Sequence, residues 1–344
     1  MPWTPPASGT IRWGIIGCGD VTEVKSGPAL QRVDGSRLVA VMRRDAAKAA
    51  DYAKRHGVPR WYDDADRLIA DPEVDAIYVA TPPDAHQRWC LRAAAAGKPV
   101  YVEKPMARTA AECRRMVEAC AAAGVPLHVA YYRRALPRFA KVAELLQAGA
   151  IGRIGSIDVR LCQDRTADSA EAWRLRPEIA GGGLFLDLAS HALDLVDHLL
   201  GPITQVAAQA VHRGGPSPAE DGVAMSFRCP DGVIGTGLWD FRAAYPEDLL
   251  IIRGTSGRLS VPVFAEGPVE LQRAGRDAET WRIPHPAHVQ EPLIASVVAA
   301  LRGVGRCPST GASAWRTSIV MDAALDVYYG GRDDGVWNRP WPRR

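Results

Sequence analysis

From Ile11 onward the chain alternates short apolar runs with longer stretches whose apolar residues recur at helical spacing. The runs are IRWGIIG, RLVAV, VDAIYVAT, PVYVEK and VPLHVA, and the intervening segments include DAAKAADYAKRHG and TAAECRRMVEACAAAG. Nearly continuous apolar strands are those buried on both faces, and a helix between successive strands predicts βαβ units in a parallel sheet. Local signals agree: Asp45 and Thr109 stand where helices should be capped, and Gly57 and Gly124 where they should end.

After about residue 150 the rhythm changes. The runs ITQVAAQAVHR, GVAMSFRCPDGVIGTGLWDFR and DLLIIRGTSGRLSVPVF, with turn residues at Pro230-Asp231-Gly232 and Thr255-Ser256-Gly257, predict hairpins in an antiparallel or mixed sheet. Such a sheet must cover its apolar face, and GGGLFLDLASHALDLVDHLLG, residues 181–201, predicts the helix that does so. Further helical patterns run over 288–305 and 312–330. The expected organisation is α/β, with a flexible arm over 1–10, a parallel-sheet domain over 11–132 and a second α/β domain over 133–344.

The 181–201 segment carries two stripes. Leu188, Ala192, Leu195, Val196 and Leu199 form an apolar one, and Asp187, His191, Asp194 and His198 a polar one, with Gly201-Pro202 as the stop. Alone, the polar stripe fits a solvated face with an i,i+4 pair or site chemistry; ligation of a divalent ion is open but less favoured, since the chain has no Cys cluster or HExxH motif.

The first strand runs into Gly17-Cys18-Gly19-Asp20-Val21, followed by Thr22 where the dinucleotide-binding fingerprint prefers Gly or Ala. Glycines there permit a tight turn and close approach of a pyrophosphate to backbone N–H groups. Ser26-Gly27-Pro28 predicts a break and a new helix start. At the tip of the second strand, where an acid would bind a ribose 2′-hydroxyl, stand Arg43 and Arg44, whose guanidiniums suit a 2′-phosphate and favour NADP over NAD. The fourth and fifth strands end in Thr81-Pro82-Pro83-Asp84-Ala85-His86 and Glu103-Lys104-Pro105, at the strand ends where open α/β sheets bind ligands. Lys104 is placed to polarise a substrate oxygen.

Composition removes other classes. Lys and Arg number 42 against 39 Asp and Glu, for a net charge of +3, and the basic pairs Arg43-Arg44, Arg114-Arg115 and Arg133-Arg134 are scattered among acids rather than forming a nucleic-acid stripe. Seven cysteines without a CxxC fit a reducing cytoplasm. No uninterrupted apolar run reaches membrane length, and the N-terminus lacks the pattern of a secretory signal.

Taken together, the Gly17-Cys18-Gly19 turn, Thr81-Pro82-Pro83…His86, Glu103-Lys104-Pro105, Arg133-Arg134…Pro137, Trp173-Arg174, GGGLFLDLASH and EDGVAMSF closely resemble the glucose–fructose oxidoreductase / inositol dehydrogenase / MocA family over nearly the whole chain. The resemblance implies a Rossmann domain followed by an α/β domain with an open, predominantly antiparallel sheet, whose free face serves assembly into dimers or tetramers. It implies a catalytic set of Lys104, Asp187 and His191, no metal, and a cofactor site that includes Glu103, Arg133, Trp173 and Arg174 besides the residues above. Histidine titrates near neutrality and suits proton exchange with the substrate oxygen, while a lysine stabilises its developing charge. Asp194 and His198 have no family match and read as polar surface or as support behind the site.

The expected activity is hydride transfer between NADP, or NAD, and a sugar, inositol or keto sugar. The basic second strand and WRLRP ahead of the glycines resemble the reductase side of the family, such as anhydrofructose reductases. An alternative is an NAD-dependent glycosidase acting through transient oxidation. A nucleotide sensor without catalysis has no need of Lys104, Asp187 and His191.

Overall fold

A computed structural model describes residues 3–166, 168, 172–214 and 217–332. Residues 1–2 of the expected arm and 333–344 of the expected second domain lie outside the described residues. The chain divides into two compact units. The first comprises residues up to Ala107, Ala111–Ala135 and Pro286–Trp315; the second comprises Arg108–Ala110, Leu136–His285 and the described residues from Arg316 on.

The first unit begins with β1 (Ile11–Ile16), α1 (Asp20–Val24), α2 (Gly27–Arg32), β2 (Ser36–Met42), α3 (Ala46–His56), β3 (Arg60–Tyr62), α4 (Ala65–Ala70), β4 (Ala76–Val79), α5 (His86–Ala95), β5 (Val100–Val102), α6 (Ala110–Ala123) and β6 (Leu127–Val129). The strands form one sheet in the order β3-β2-β1-β4-β5-β6, parallel throughout. The order reverses between β1 and β4, and the crevice at the carboxyl ends of those strands is where such sheets take ligands. One core gathers Ile16, Val79, Val102 and Met116, and the other Trp13, Ile15, Tyr78 and Tyr101.

The second unit carries α7 (Pro137–Gln147), β7 (Ile154–Asp164), α8 (Pro177–Ala180), α9 (Ser190–Leu200), β8 (Thr204–Val211), β9 (Gly222–Arg228), β10 (Ile234–Asp240), β11 (Arg242–Gly254), β12 (Gly257–Val261), β13 (Val269–Arg273) and β14 (Glu279–Trp281). Its sheet runs β14-β13-β12-β11-β7-β10-β9-β8 and is antiparallel except for β10 on β7. Burial alternates along β9 and β10, so one face is packed and the other open. On the packed face, Phe185 meets the edge-on ring of Trp239 at 5.1 Å.

Several expectations need correction. Residues 181–201 are not one helix: α8 ends at Gly181 (φ +91°), a wide helical turn spans Phe185–Ala189, and only then does α9 begin. Nor does the segment keep a solvated polar face, since His191 is 4 % exposed, Asp194 0 % and Asp197 5 %. Asp194 accepts a hydrogen bond from Thr317 Oγ1 at 3.2 Å, so it is interior rather than surface, whereas Leu188 and Leu199 of the expected apolar stripe are only half-buried. Pro177–Leu200 is apolar enough by length and composition to cross a membrane, but it is mostly buried inside the unit, as a core segment of a folded domain is. The expected arm is tethered: Trp3 N–H donates to Gly124 O and Trp3 Nε1 to Leu301 O, and the indole packs on the core. Finally α10 (Glu291–Leu301), placed by sequence order in the second domain, belongs to the first unit, because Leu293, Ile294, Val297, Val298 and Leu301 fill the core with Trp13 and Tyr101. The chain passes into the second unit within α11 (Gly311–Tyr329).

Candidate active site

In the first unit the site is largely backbone. After β1 the chain turns through Gly17 (φ +92°), and the amides of Gly17 and Cys18 donate to Met42 O at 2.9 and 3.1 Å. A Cβ on Gly17 would stand 2.8 Å from Thr81 Cγ2 and 3.0 Å from Thr81 N, so both conformation and contact exclude a side chain. Gly19 is different: a Cβ there would meet only Gly17 O at 4.0 Å, and its absence leaves clear space ahead of the turn. Asp20 and Val21 open α1. Thr22 replaces the third glycine by local bonding, its hydroxyl donating to Gly19 O at 2.8 Å and accepting from Gly19 N at 3.0 Å. The close packing expected of that glycine is taken over by Gly27, where a Cβ would lie 2.2 Å from Thr22 O and 2.5 Å from Tyr52 Oη. Burial pushes the Cys18 thiol up to about 11, so it adds no negative charge to the turn at neutral pH.

Beyond β2, Arg43 is half-buried with Nη1 3.4 Å from Cys18 O, and Arg44 is exposed. Asp45 caps α3 through Lys48 N at 3.1 Å, as expected. At the end of β4, Thr81 Oγ1 is buried without a hydrogen-bond partner among the described residues, and Pro82 is half-buried. His86 is fully buried: Nε2 lies 2.6 Å from Thr81 O, and Nδ1 3.1 and 3.2 Å from Pro105 O and Met106 O. Burial lowers its pKa, and since a neutral ring donates from one nitrogen only, the ring sits between the carbonyls of the two strand-end loops and hydrogen-bonds to one side of them. The Glu103 carboxylate is buried, accepting from Tyr78 Oη at 2.5 Å, Gln290 Nε2 at 2.7 Å and Lys104 N at 3.2 Å. Lys104 follows half-buried at the end of β5, and Arg133 is buried with its guanidinium over the Tyr132 ring. A dinucleotide fits these residues: Gly19 leaves clear space, Cys18 is neutral, and Thr81 has an unused hydroxyl.

In the second unit the site is made of side chains held by side chains. Asp187 lies on the wide turn and His191 at the start of α9, one helical turn apart. Arg174, stacked on Trp173 at 4.4 Å, reaches Asp187 with Nε 3.3 Å from Oδ2. The glycines ahead of Asp187 are pinned from afar. Glu220 accepts from Gly183 N at 2.8 Å and from the Tyr329 hydroxyl, while Arg332 donates to Gly181 O and to Arg108 O. A Cβ on Gly183 would stand 2.6 Å from Glu220 O. Asp197, on α9, forms a bidentate pair with Arg316 at 2.9 and 2.6 Å. Sequence reasoning missed Gly27, Asp197, Glu220 and Arg332 as supports. Only Gly27 and Glu220 had a local signal, the Ser-Gly-Pro helix start and the acid heading EDGVAMSF. Of Trp173 and Arg174, expected at the cofactor, Arg174 also pairs with Asp187.

Comparisons with known proteins agree with the two-domain fold. Residues 11–131 match a family described as an oxidoreductase family with an NAD-binding Rossmann fold, and residues 139–260 match the GFO/IDH/MocA C-terminal domain. The chain is 37 % identical over 316 residues to oxidoreductase P35 of Formosa agariphila, covering 91 % of this chain and 97 % of that one. It is 31 % identical over 305 residues to 1,5-anhydro-D-fructose reductase of Ensifer adhaerens, covering 87 % and 91 %. Among solved structures, the WlbA dehydrogenase from Bordetella pertussis in complex with NADH and UDP-GlcNAcA superimposes with a TM-score of 0.80 at 26 % identity, over 94 % of this chain and 98 % of that one. With both halves matched and a relative spanned nearly end to end, the chain belongs to the Gfo/Idh/MocA family of oxidoreductases.

Proposed function

We propose that this oxidoreductase reduces a keto sugar or related polyhydroxy carbonyl compound with NADP as preferred cofactor, and that Lys104, Asp187 and His191 form its catalytic set. The observation that carries the reading is the Asp187/His191 pair, one turn apart on a segment pinned by Glu220 and Arg332. When bound, the nicotinamide supplies the hydride. His191 gives a proton to the substrate oxygen during reduction and takes it back in the reverse direction. Lys104 stabilises negative charge developing on the same oxygen. Asp187 orients the substrate or the imidazole, and its ion pair with Arg174 holds it in place. The preference for NADP rests on Arg43, which leans over the turn at Cys18, and on Arg44. The keto-sugar class follows the anhydrofructose reductase relative. The open sheet face, with Val211, Ile234 and Leu238 exposed, supports assembly with further copies of the chain.

The test is His191→Asn. Turnover should fall by about a hundredfold or more, the usual worth of a positioned acid or base, with kcat and kcat/KM falling together and cofactor affinity unchanged. Lys104→Ala should also lower turnover, and the double variant should lose much less than the product of the two losses. Near wild-type turnover in His191→Asn, assayed across keto sugars and polyols by nicotinamide absorbance, would refute the assignment.

A further inference from the structure

His191 has a neighbour outside the residues so far described. The imidazole meets the Phe264 ring at 6.1 Å between centroids and 77° between planes, an edge-to-face contact. Phe264 lies in the connection between β12 and β13, a place where chains are ordinarily mobile. Here the connection is held from two sides. The β11–β12 ladder runs as far as Leu250 opposite Val261, and past that point Asp248 replaces it with a side chain. Its carboxylate accepts from Val263 N at 2.9 Å, Phe264 N at 2.8 Å and Ala265 N at 2.6 Å. On the carbonyl side stands Arg138 of α7, only 2 % exposed, which donates to Val263 O at 2.8 Å and Ala265 O at 2.6 Å. Three consecutive residues thus have their amides fixed by one carboxylate, and the two flanking carbonyls by one buried guanidinium.

Charge-assisted hydrogen bonds of this kind are the strong ones, and a buried guanidinium is rarely retained where a water-exposed turn would suffice. The side chain so presented is partly exposed and turned against the imidazole assigned to proton transfer. We propose that Phe264 is a positioning residue for His191: it fixes the plane of the imidazole and excludes water from one side of it, on a loop locked by Asp248 and Arg138. The proposal rests on His191 as the proton-transferring group. A phenyl ring suits the task because it is rigid, has an electron-rich face for imidazole hydrogens, and offers water no competing hydrogen bond.

The test uses the full chain, with kinetics, thermal melting and the NMR signals of the His191 ring protons as readouts. Phe264→Leu should shift those ring protons, which lose the ring current of the phenyl, and should lower kcat about tenfold while leaving cofactor affinity and melting temperature nearly unchanged. Phe264→Tyr, which keeps the ring, should restore most of the loss. Asp248→Asn presents an N–H where an amide acceptor is needed, so it should reproduce the kinetic signature of Phe264→Leu, and the two together should be no worse than Phe264→Leu alone. If Asp248→Asn fails to fold, the Phe264 series decides alone. Unchanged ring protons and wild-type kcat in Phe264→Leu would overturn the proposal. A silent His191→Asn would instead sink the base assignment, so the two failures are distinguishable.

Discussion

The two units hold their candidate functional residues by opposite means. In the first, function-bearing positions are strand ends and the turn between β1 and α1, and what matters is where side chains are missing: Gly17 against Thr81, Gly19 with open space, Gly27 against Thr22 and Tyr52. In the second, the candidate pair spans an irregular turn, which carries Asp187, and the start of α9, which carries His191, and the turn does not specify its own geometry. Distant side chains do so, with Glu220 on Gly183, Arg332 on Gly181, and Asp248 and Arg138 on the Phe264 loop. A sheet gives the first unit a frame that tolerates sequence change away from its edges. The second unit depends on buried polar contacts, each costly to leave half-made.

Two glycine substitutions test this difference. In Gly183→Ala the new methyl meets backbone at Glu220 O, 2.6 Å away, and Ala219 Cβ at 3.0 Å, so the turn carrying Asp187 must move. Displacement of about an ångström at a reacting group can cost about a hundredfold in rate, so turnover should fall between tenfold and a hundredfold with cofactor affinity retained. Gly27→Ala meets Thr22 O at 2.2 Å and Tyr52 Oη at 2.5 Å, so α1 and α2 must part. Its loss should fall on cofactor affinity and on stability, by about 1–3 kcal/mol as overpacking usually costs. Measuring kcat, cofactor Kd and thermal stability for both would break the comparison if the two variants showed the same profile.

The same contrast explains what could be read from the chain alone. The parallel sheet, its crossover helices and the β1 turn follow from local periodicity and glycine placement, so Gly17 to Val21, Arg43, Asp45 and Lys104 could be singled out from neighbouring residues. The pairing of β10 with β7, by contrast, joins strands about seventy residues apart and leaves no local trace. The choice for Asp194 between surface and support could not be made from neighbouring residues, because its partner, Thr317, lies 123 residues away. The apolar stripe of α10 was legible, but not which unit it completes. Arg174 was expected near the cofactor and substrate, and its pairing with Asp187 on the wide turn had no local trace.

A smaller effect is expected at the tip of β2. Arg43→Asp with Arg44→Ser removes the positive charge beside the Cys18 carbonyl and should weaken NADP at least tenfold, since each charge-assisted hydrogen bond is worth about 1.5–3 kcal/mol. The change should leave kcat at saturating cofactor, and therefore the second unit, untouched. Equal affinity for NADP and NAD in the wild type would contradict the assignment at once.

The smallest effect concerns pH, and there the units should differ in sign. Glu23 on α1 bonds Arg55 at 2.7 and 2.8 Å and His56 at 2.7 Å, and chiefly the Arg55 bonds hold its pKa down to about 2 from 4.5. A depressed carboxylate contributes stability above its unfolded pKa, and that contribution is lost as pH falls from about 4.5 toward 2. Because the carboxylate is partly solvated, the worth is modest, about 1 kcal/mol or less. Glu220 in the second unit is fully buried, and burial raises its pKa against the opposing bonds from Tyr329 and Gly183. Its folded form therefore binds a proton more readily than the unfolded chain, and acidification from neutrality toward 4.5 should add stability through this group. Unfolding of Glu23→Gln and Glu220→Gln, each against the wild type between pH 7 and 3, reads both. The Glu23→Gln deficit should shrink only below about pH 4.5, whereas Glu220→Gln should lack the wild-type gain on mild acidification. Parallel pH profiles for the two variants would mean that the carboxylates of the two units are held alike.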